Sequence, residues 1–274
     1  MEDLIMNLFE AIILGVVQGL TEFLPVSSSG HLVFFQRLLG VKEEAVLTFS
    51  VFVHVATLFA VAFVYWKKIF EMIRRPFSKL PVQIVVATIP AVVLTLLLGD
   101  LIESTYVNPV VLGPGFIITG LALLFSEKAG NGKKGLEELK TTDSLLIGTA
   151  QGIALFPAVS RSGMTITTSL VLGLERGFAA DFSFLMSIPP IMGAALLDGI
   201  DVVKGNTASF ESIGIVNLLA GMIAAGITGF FAIKIMLAAV KRLKLKYFAF
   251  YVILLGTVII AARIFFKDSL NWLG

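Results

Sequence analysis

Gly15-Val16-Val17-Gln18-Gly19-Leu20-Thr21-Glu22-Phe23-Leu24-Pro25-Val26-Ser27-Ser28-Ser29-Gly30-His31 is a polar, glycine-bearing run in a largely apolar chain. A second run, Gly148-Thr149-Ala150-Gln151-Gly152-Ile153-Ala154-Leu155-Phe156-Pro157-Ala158-Val159-Ser160-Arg161-Ser162-Gly163, repeats it without a gap at an offset of 133 residues. The identities are Gly15/Gly148, Gln18/Gln151, Gly19/Gly152, Phe23/Phe156, Val26/Val159, Ser27/Ser160, Ser29/Ser162 and Gly30/Gly163. The register continues into Leu39-Gly40 against Leu172-Gly173 and Phe49-Ser50 against Phe182-Ser183. A repeat of this length predicts two similar structural halves. Both copies are polar, so they are expected to form two halves of one site.

The surrounding composition sets the medium. Of 274 residues, 57% are hydrophobic and only 15% charged, with a mean hydropathy of +0.95. Soluble domains carry about a quarter charged residues, so this chain reads as an integral membrane protein. There is no cysteine, which excludes disulfide and thiolate chemistry. Two histidines, His31 and His54, are too few for a histidine-rich zinc site. No basic cluster interleaved with aromatics suggests a nucleic-acid partner.

Met1 to Leu24 is apolar but carries Glu10, Gln18 and Glu22. Lipid would not tolerate these groups, because an ionisable side chain costs at least ~2.5–3.5 kcal/mol at the bilayer centre. With Val26 to Gly40 this stretch predicts a re-entrant hairpin that turns at Leu24 to Ser27, buried in protein or lining a wet cavity. Spans are expected at 45–66, 81–99, 109–125, 179–197, 213–240 and 248–266. A second hairpin is expected from Ser144 to Phe156 and Val159 to Leu174. Basic loops at Lys67, Lys68, Arg74, Arg75 and Lys79, and at Lys241, Arg242, Lys244 and Lys246, predict the cytoplasmic side. Loops holding Asp100 and Glu103, and Asp198, Asp201, Lys204 and Glu211, then lie outside.

The predicted fold is an all-α integral membrane protein with about six transmembrane helices plus two re-entrant helical hairpins. Each half holds a hairpin and three spans. Three is odd, so the halves are upside-down relative to each other, an inverted-topology repeat whose broken helices meet near the midplane. Residues 1–274 read as a single membrane domain, with repeat halves 1–126 and 144–268.

Gln18 and Glu22 are four apart and share a helical face. Glu22 is a candidate metal ligand or general base, with Gln18 as a neutral oxygen ligand; the plainer role is a helix-capping carboxylate. Ser27, Ser28, Ser29 and Gly30 start a helix, where serine caps well and free N–H groups favour an anion such as phosphate. His31 follows as an acid/base candidate or a local hydrogen-bonding group. Ser160, Arg161, Ser162 and Gly163 repeat the device, with Arg161 in the place of Ser28. A guanidinium fits phosphate oxygens bidentately; a buried ion pair with Glu22 is the alternative. Leu155 replaces Glu22 and Met164 replaces His31, so acid/base equipment is confined to the first copy. His54 reads as a packing histidine inside a span, and Lys234 as a snorkelling lysine.

The pair of motifs closely resembles the undecaprenyl-pyrophosphate phosphatase family, also called bacitracin-resistance proteins, over essentially the whole chain. The resemblance implies a membrane phosphatase that converts undecaprenyl diphosphate to the monophosphate at the outer face of the bacterial inner membrane. That reaction recycles the lipid carrier of cell-wall synthesis. The resemblance further implies the family's (Glu/Gln)-x-x-x-Glu motif at Gln18 and Glu22, its serine and histidine at Ser28 and His31, and its arginine at Arg161. It implies a divalent cation, Mg²⁺ or Ca²⁺. Two departures stand out. Gln18 gives the first motif one carboxylate rather than two, and Pro157-Ala158 stands where the family often has Pro-Gly, which tightens that turn.

The expected partners are a polyprenyl diphosphate lipid and the bilayer, with a homodimer left open. Ser28 or a water is the nucleophile, and Glu22 or His31 the base. The rival reading is an inverted-repeat transporter or polyprenyl-phosphate flippase. A carrier has no need of Glu22, Ser28 and His31 beside Arg161.

Overall fold

The first polar run folds as two short helices around a break. Helix α1, Leu8–Phe23, starts at Asn7, whose side chain accepts from Glu10 N at 3.0 Å while the Glu10 carboxylate accepts from Asn7 N at 2.8 Å. This reciprocal cap satisfies two N–H groups that a helix start leaves free. The helix ends at Leu24, held extended by the following Pro25. Helix α2, Ser28–Leu39, is capped by the Ser27 hydroxyl and stops at Gly40, whose φ of 72° is the left-handed conformation glycine adopts readily. The computed structural model describes residues 6–41, 43–106, 109–130, 132–203, 213–242 and 244–265.

The other elements follow in order. Helix α3, Glu43–Val64, bends by 85° at Tyr65 into α4, Trp66–Arg74. Next come α5, Lys79–Tyr106, a 3-10 turn at Pro109–Val111 and α6, Leu112–Lys128. The second polar run gives α7, Thr141–Ile153, and α8, Arg161–Val171. The chain continues through α9, Arg176–Leu185; α10, Ile188–Val203; α11, Ile215–Lys241; and α12, Leu245–Phe265. Both expected hairpins are present, and the described residues are helical with no strand beyond one isolated bridge, Lys134 to Leu174.

Four stretches are long and apolar enough to cross a bilayer: Lys79–Ile102, Arg176–Leu197, Ile215–Lys241 and Leu245–Phe265. The bent α3/α4 pair adds a fifth. The protein is therefore a multi-pass membrane protein. The remaining expected span, 109–125, corresponds to α6, which has 17 residues and packs along α12.

Three expected loops are helical instead. Lys67 to Arg74 lies in α4, where Trp66, Phe70 and Ile73 expose one apolar side of the helix beside its lysines and arginine. Their spacing of four and three residues makes an amphipathic helix suited to lie in the interfacial plane. Helix α5 runs through Asp100 to Tyr106, and α10 through Asp198 and Asp201 to Val203. A helix can outlast its apolar stretch because its backbone bonds persist in water. The rest of the second expected outer loop, 204–211, and the chain end, 266–274, lie outside the described residues.

The two halves interlock. Helix α1 packs along α11, and α7 packs along α5, so each hairpin leans on a span of the other half. Glycine permits both approaches. A Cβ on Gly15 would lie 2.2 Å from Gly221 O, and one on Gly148 would lie 2.0 Å from Ala87 O. These glycines are the equivalent pair of the repeat. One buried cluster, including Phe23, Ile84, Ile147, Ile166, Phe184 and Ala232, draws on both halves.

The basic segments gather at one end. Lys68 pairs with Asp181, and Tyr65 Oη donates to the same carboxylate at 2.7 Å. Lys79 bonds Glu137 O, and Lys246 N donates to Glu127 at 3.1 Å. Asn217, near the start of α11 and far from Lys241, donates to Met6 O at 2.8 Å. Helix α1 therefore begins at the end opposite the basic segments, and α7 begins among them, as an inverted repeat requires.

Candidate active site

The break between α1 and α2 places a carboxylate and a hydroxyl face to face. Glu22, on the last turn of α1, is buried. Ser28, the first residue of α2, donates from Oγ to Glu22 Oε2 at 2.6 Å. Gln18, one turn earlier on α1, donates from Nε2 to the same oxygen at 3.0 Å. The other carboxylate oxygen, Oε1, takes Nη2 of Arg161 from the second hairpin. The ion pair anticipated as the alternative role of Arg161 is thus formed. A buried carboxylate is stable only when paired and hydrogen-bonded, and Glu22 has both.

Two atoms in this cluster are left over. Gln18 Oε1 and Arg161 Nη1 are buried with no hydrogen-bond partner. Arg161 thus spends one edge on Glu22 and keeps a donor free. An unpaired buried donor beside a helix N-terminus is the arrangement that receives an anion.

The fold holds this geometry with backbone strain. Ser27 has φ 70° and Ala158 has φ 62°, the two non-glycine residues with positive φ among those described. Left-handed backbone costs a residue with a Cβ roughly 1–2 kcal/mol, and such strain clusters at functional sites. His31 Nδ1 lies 2.7 Å from Ser27 O, so the ring N–H donates to the carbonyl of that strained turn. His31 Nε2 is 2.8 Å from Tyr251 Oη. At the second tip, Thr119 of α6 donates from Oγ1 to Ala158 O at 3.1 Å and accepts from Ser160 N at 2.9 Å. The tips touch: Ser162 Oγ donates to Leu24 O at 3.2 Å. Gly30 lets them close, because a Cβ there would sit 2.8 Å from Ala158 Cβ.

The repeat extends to hydroxyl pairs. Ser27 Oγ lies 3.2 Å from Ser29 Oγ, and the equivalent Ser160 Oγ lies 3.3 Å from Ser162 Oγ. Ser27 and Ser160 also cap their helices, accepting from Gly30 N at 3.3 Å and Gly163 N at 3.1 Å.

Of the expected site residues, Gln18, Glu22, Ser28 and Arg161 converge. His31 is adjacent in sequence, yet its ring nitrogens serve Ser27 and Tyr251. His54, read from sequence as a packing residue, belongs to the cluster: its Nε2 is 3.4 Å from Glu22 Oε2, and its Nδ1 donates to Ser50 O across 2.6 Å. The signal was available, since an ionisable group inside a span is functional by default. Nothing in the sequence pointed to Thr119 or Tyr251, whose roles come from tertiary packing.

The oxygen donors of this site suit a hard divalent cation. Gln18 supplies a buried, unpartnered oxygen beside the Glu22 carboxylate. Among the described residues no three acidic, histidine or cysteine side chains form a metal cluster. Two protein oxygens completed by phosphate oxygens and water is the usual pattern for magnesium, and the residues fit it.

Comparison with known proteins covers nearly the whole chain. The chain matches the family model described as "Bacitracin resistance protein BacA" over residues 11–258. It is 45% identical over 258 residues to an undecaprenyl-diphosphatase of Carboxydothermus hydrogenoformans, covering 94% of this chain and 98% of that protein. It is 44% identical over 259 residues to an undecaprenyl-diphosphatase 4 of Bacillus cereus, with the same coverage. An undecaprenyl-diphosphatase of Alkaliphilus metalliredigens is 39% identical over 273 residues, covering 93% of this chain and 98% of that protein.

Proposed function

The chain belongs to the bacitracin resistance protein BacA family, and on that premise we propose that it hydrolyses undecaprenyl diphosphate to undecaprenyl phosphate and inorganic phosphate. The observation that carries the mechanism is the bridged carboxylate. Glu22 binds the Ser28 hydroxyl on one oxygen and Arg161 of the other hairpin on the second.

Ser28 Oγ attacks the terminal phosphorus while Glu22 Oε2 takes its proton. The Oγ–P bond forms and the anhydride P–O bond breaks, releasing undecaprenyl phosphate. Water then attacks the phosphoserine. Glu22 returns its proton to the departing Ser28 oxygen, and inorganic phosphate leaves with both hydrogens of the water. Arg161, through its free Nη1, and the backbone N–H groups at the starts of α2 and α8 hold the phosphate oxygens and stabilise their charge. The remaining serines, Ser27, Ser29, Ser160 and Ser162, with Gly30 and Gly163, shape these two helix starts around the phosphates. A divalent cation, Mg²⁺ or Ca²⁺, bound at Gln18 and Glu22 would neutralise phosphate charge. His31 acts at one remove, holding the Ser27 carbonyl.

The site faces the outer side of the bacterial inner membrane in this reading, because the basic segments gather at the opposite end from the start of α1. The product re-enters cell-wall synthesis as its lipid carrier, and bacitracin resistance follows from removal of the diphosphate. The testing experiment is phosphate release from undecaprenyl diphosphate by purified protein in detergent, with Glu22→Gln as control. Release by the wild type and a loss of about 10²–10⁴-fold in the variant are expected. No release by the wild type overturns the reading.

A further inference from the structure

Gln151 is 2% exposed, and neither Nε2 nor Oε1 of its side chain has a hydrogen-bond partner. No step of the mechanism above uses it. Its position follows from the repeat. The 133-residue offset maps Ser28 onto Arg161, and both of these side chains bond Glu22. The axis relating the two copies therefore passes through the site itself. The same offset maps Gln18 onto Gln151 and His54 onto Ser187.

Gln18 lies one hydrogen bond from Glu22, at 3.0 Å. Symmetry about that axis would set its equivalent, Gln151, across the same centre. There Leu155 occupies the place of Glu22, so Gln151 has no carboxylate to bond. Ser187 Oγ does not fill the gap, because it donates to Phe184 O at 2.7 Å. Among the described residues, the buried polar side-chain atoms without a partner include Arg161 Nη1, Gln18 Oε1 and both amide atoms of Gln151. Leaving a buried amide wholly unsatisfied is costly, and native proteins rarely do it without a ligand or water in view.

We infer that Gln151 is a further substrate-binding residue, whose amide N–H donors take a phosphate oxygen of the diphosphate on the side of the site opposite Gln18. This inference rests on the phosphatase reading above. It assigns to the second hairpin a neutral donor beside its cation, which fits a headgroup carrying two phosphates. The first hairpin supplies the nucleophile and base, and the second supplies recognition.

The test is Gln151→Met, which keeps the length and removes the polar atoms. Steady-state hydrolysis of undecaprenyl diphosphate is measured, together with the thermal midpoint in detergent with and without inorganic pyrophosphate. The expected result is a midpoint at or above wild type without ligand, a KM raised about tenfold, as loss of one hydrogen bond allows, and a smaller pyrophosphate-induced shift. Unchanged KM and an unchanged pyrophosphate shift overturn the inference and make Gln151 a hydrated packing residue. If the methionine variant does not fold, Gln151→Asn serves, with an intermediate rise in KM expected and a wild-type KM contradicting it. A wild type that releases no phosphate defeats the phosphatase reading instead, so the two failures are distinguishable.

Discussion

His54 Nε2 lies 3.4 Å from Glu22 Oε2, bringing the middle of α3 to the break of the first hairpin. Its other nitrogen donates to Ser50 O, which fixes the ring plane toward the carboxylate. His54 is therefore a positioning residue for the proposed base. Replacing it with alanine is expected to lower kcat by about tenfold with little change in KM, while His54→Gln, which still offers an N–H, recovers much of the loss. Equal loss in both variants would contradict a hydrogen-bonding role.

Arg161 divides its guanidinium between Glu22 and a free edge. Lysine is a point charge without that fork. Arg161→Lys is expected to raise KM for the lipid diphosphate and lower kcat as well, since its ammonium lacks the planar fork that serves carboxylate and phosphate from separate edges. Steady-state kinetics of the purified variant check this, and wild-type values would contradict it.

Ala158 sits at φ 62°, in the left-handed region that favours glycine. Ala158→Gly is expected to raise the thermal midpoint in detergent, because the relief of about 1–2 kcal/mol of left-handed strain exceeds glycine's entropic cost of about 0.5–1 kcal/mol. Ala158→Val, β-branched and larger, is expected to lower it. A lower midpoint for the glycine variant would show that the methyl contact with Gly30 outweighs the strain.

Much of this was legible in the sequence, and the reason is physical. The 133-residue offset exposed two hairpins because polar residues and glycines inside lipid are costly unless they build something. Glu22, Ser28 and Arg161 carried their chemistry in their types. Side-chain direction was not legible: His31 stands three residues from Ser28, yet its nitrogens are taken by Ser27 and Tyr251. His54 was passed over although an ionisable group inside a span is itself a signal, because its partner, Glu22, is 32 residues away in sequence. The basic stretch of α4 reads as a loop by charge, and its apolar side at Trp66, Phe70 and Ile73 shows only when wound on a helix. The interlocking of the halves was invisible too, since pairing α1 with α11 rather than with its own spans depends on the close approach of Gly15 to Gly221.

Gly148 meets the backbone of Ala87 at the equivalent contact. A methyl group there has no room, since its nearest neighbour is a carbonyl oxygen rather than a flexible side chain. Gly148→Ala is expected to destabilise the protein by roughly 1–3 kcal/mol, seen as a lower thermal midpoint and poorer monodispersity in detergent. An unaffected midpoint would contradict the packing of α7 against α5.

The most direct measurement is acid-quenched trapping with undecaprenyl diphosphate labelled in its terminal phosphate, followed by peptide mapping. The account expects transient label on Ser28 in the wild type, and neither label nor turnover in Ser28→Ala. Sustained turnover by Ser28→Ala would contradict it.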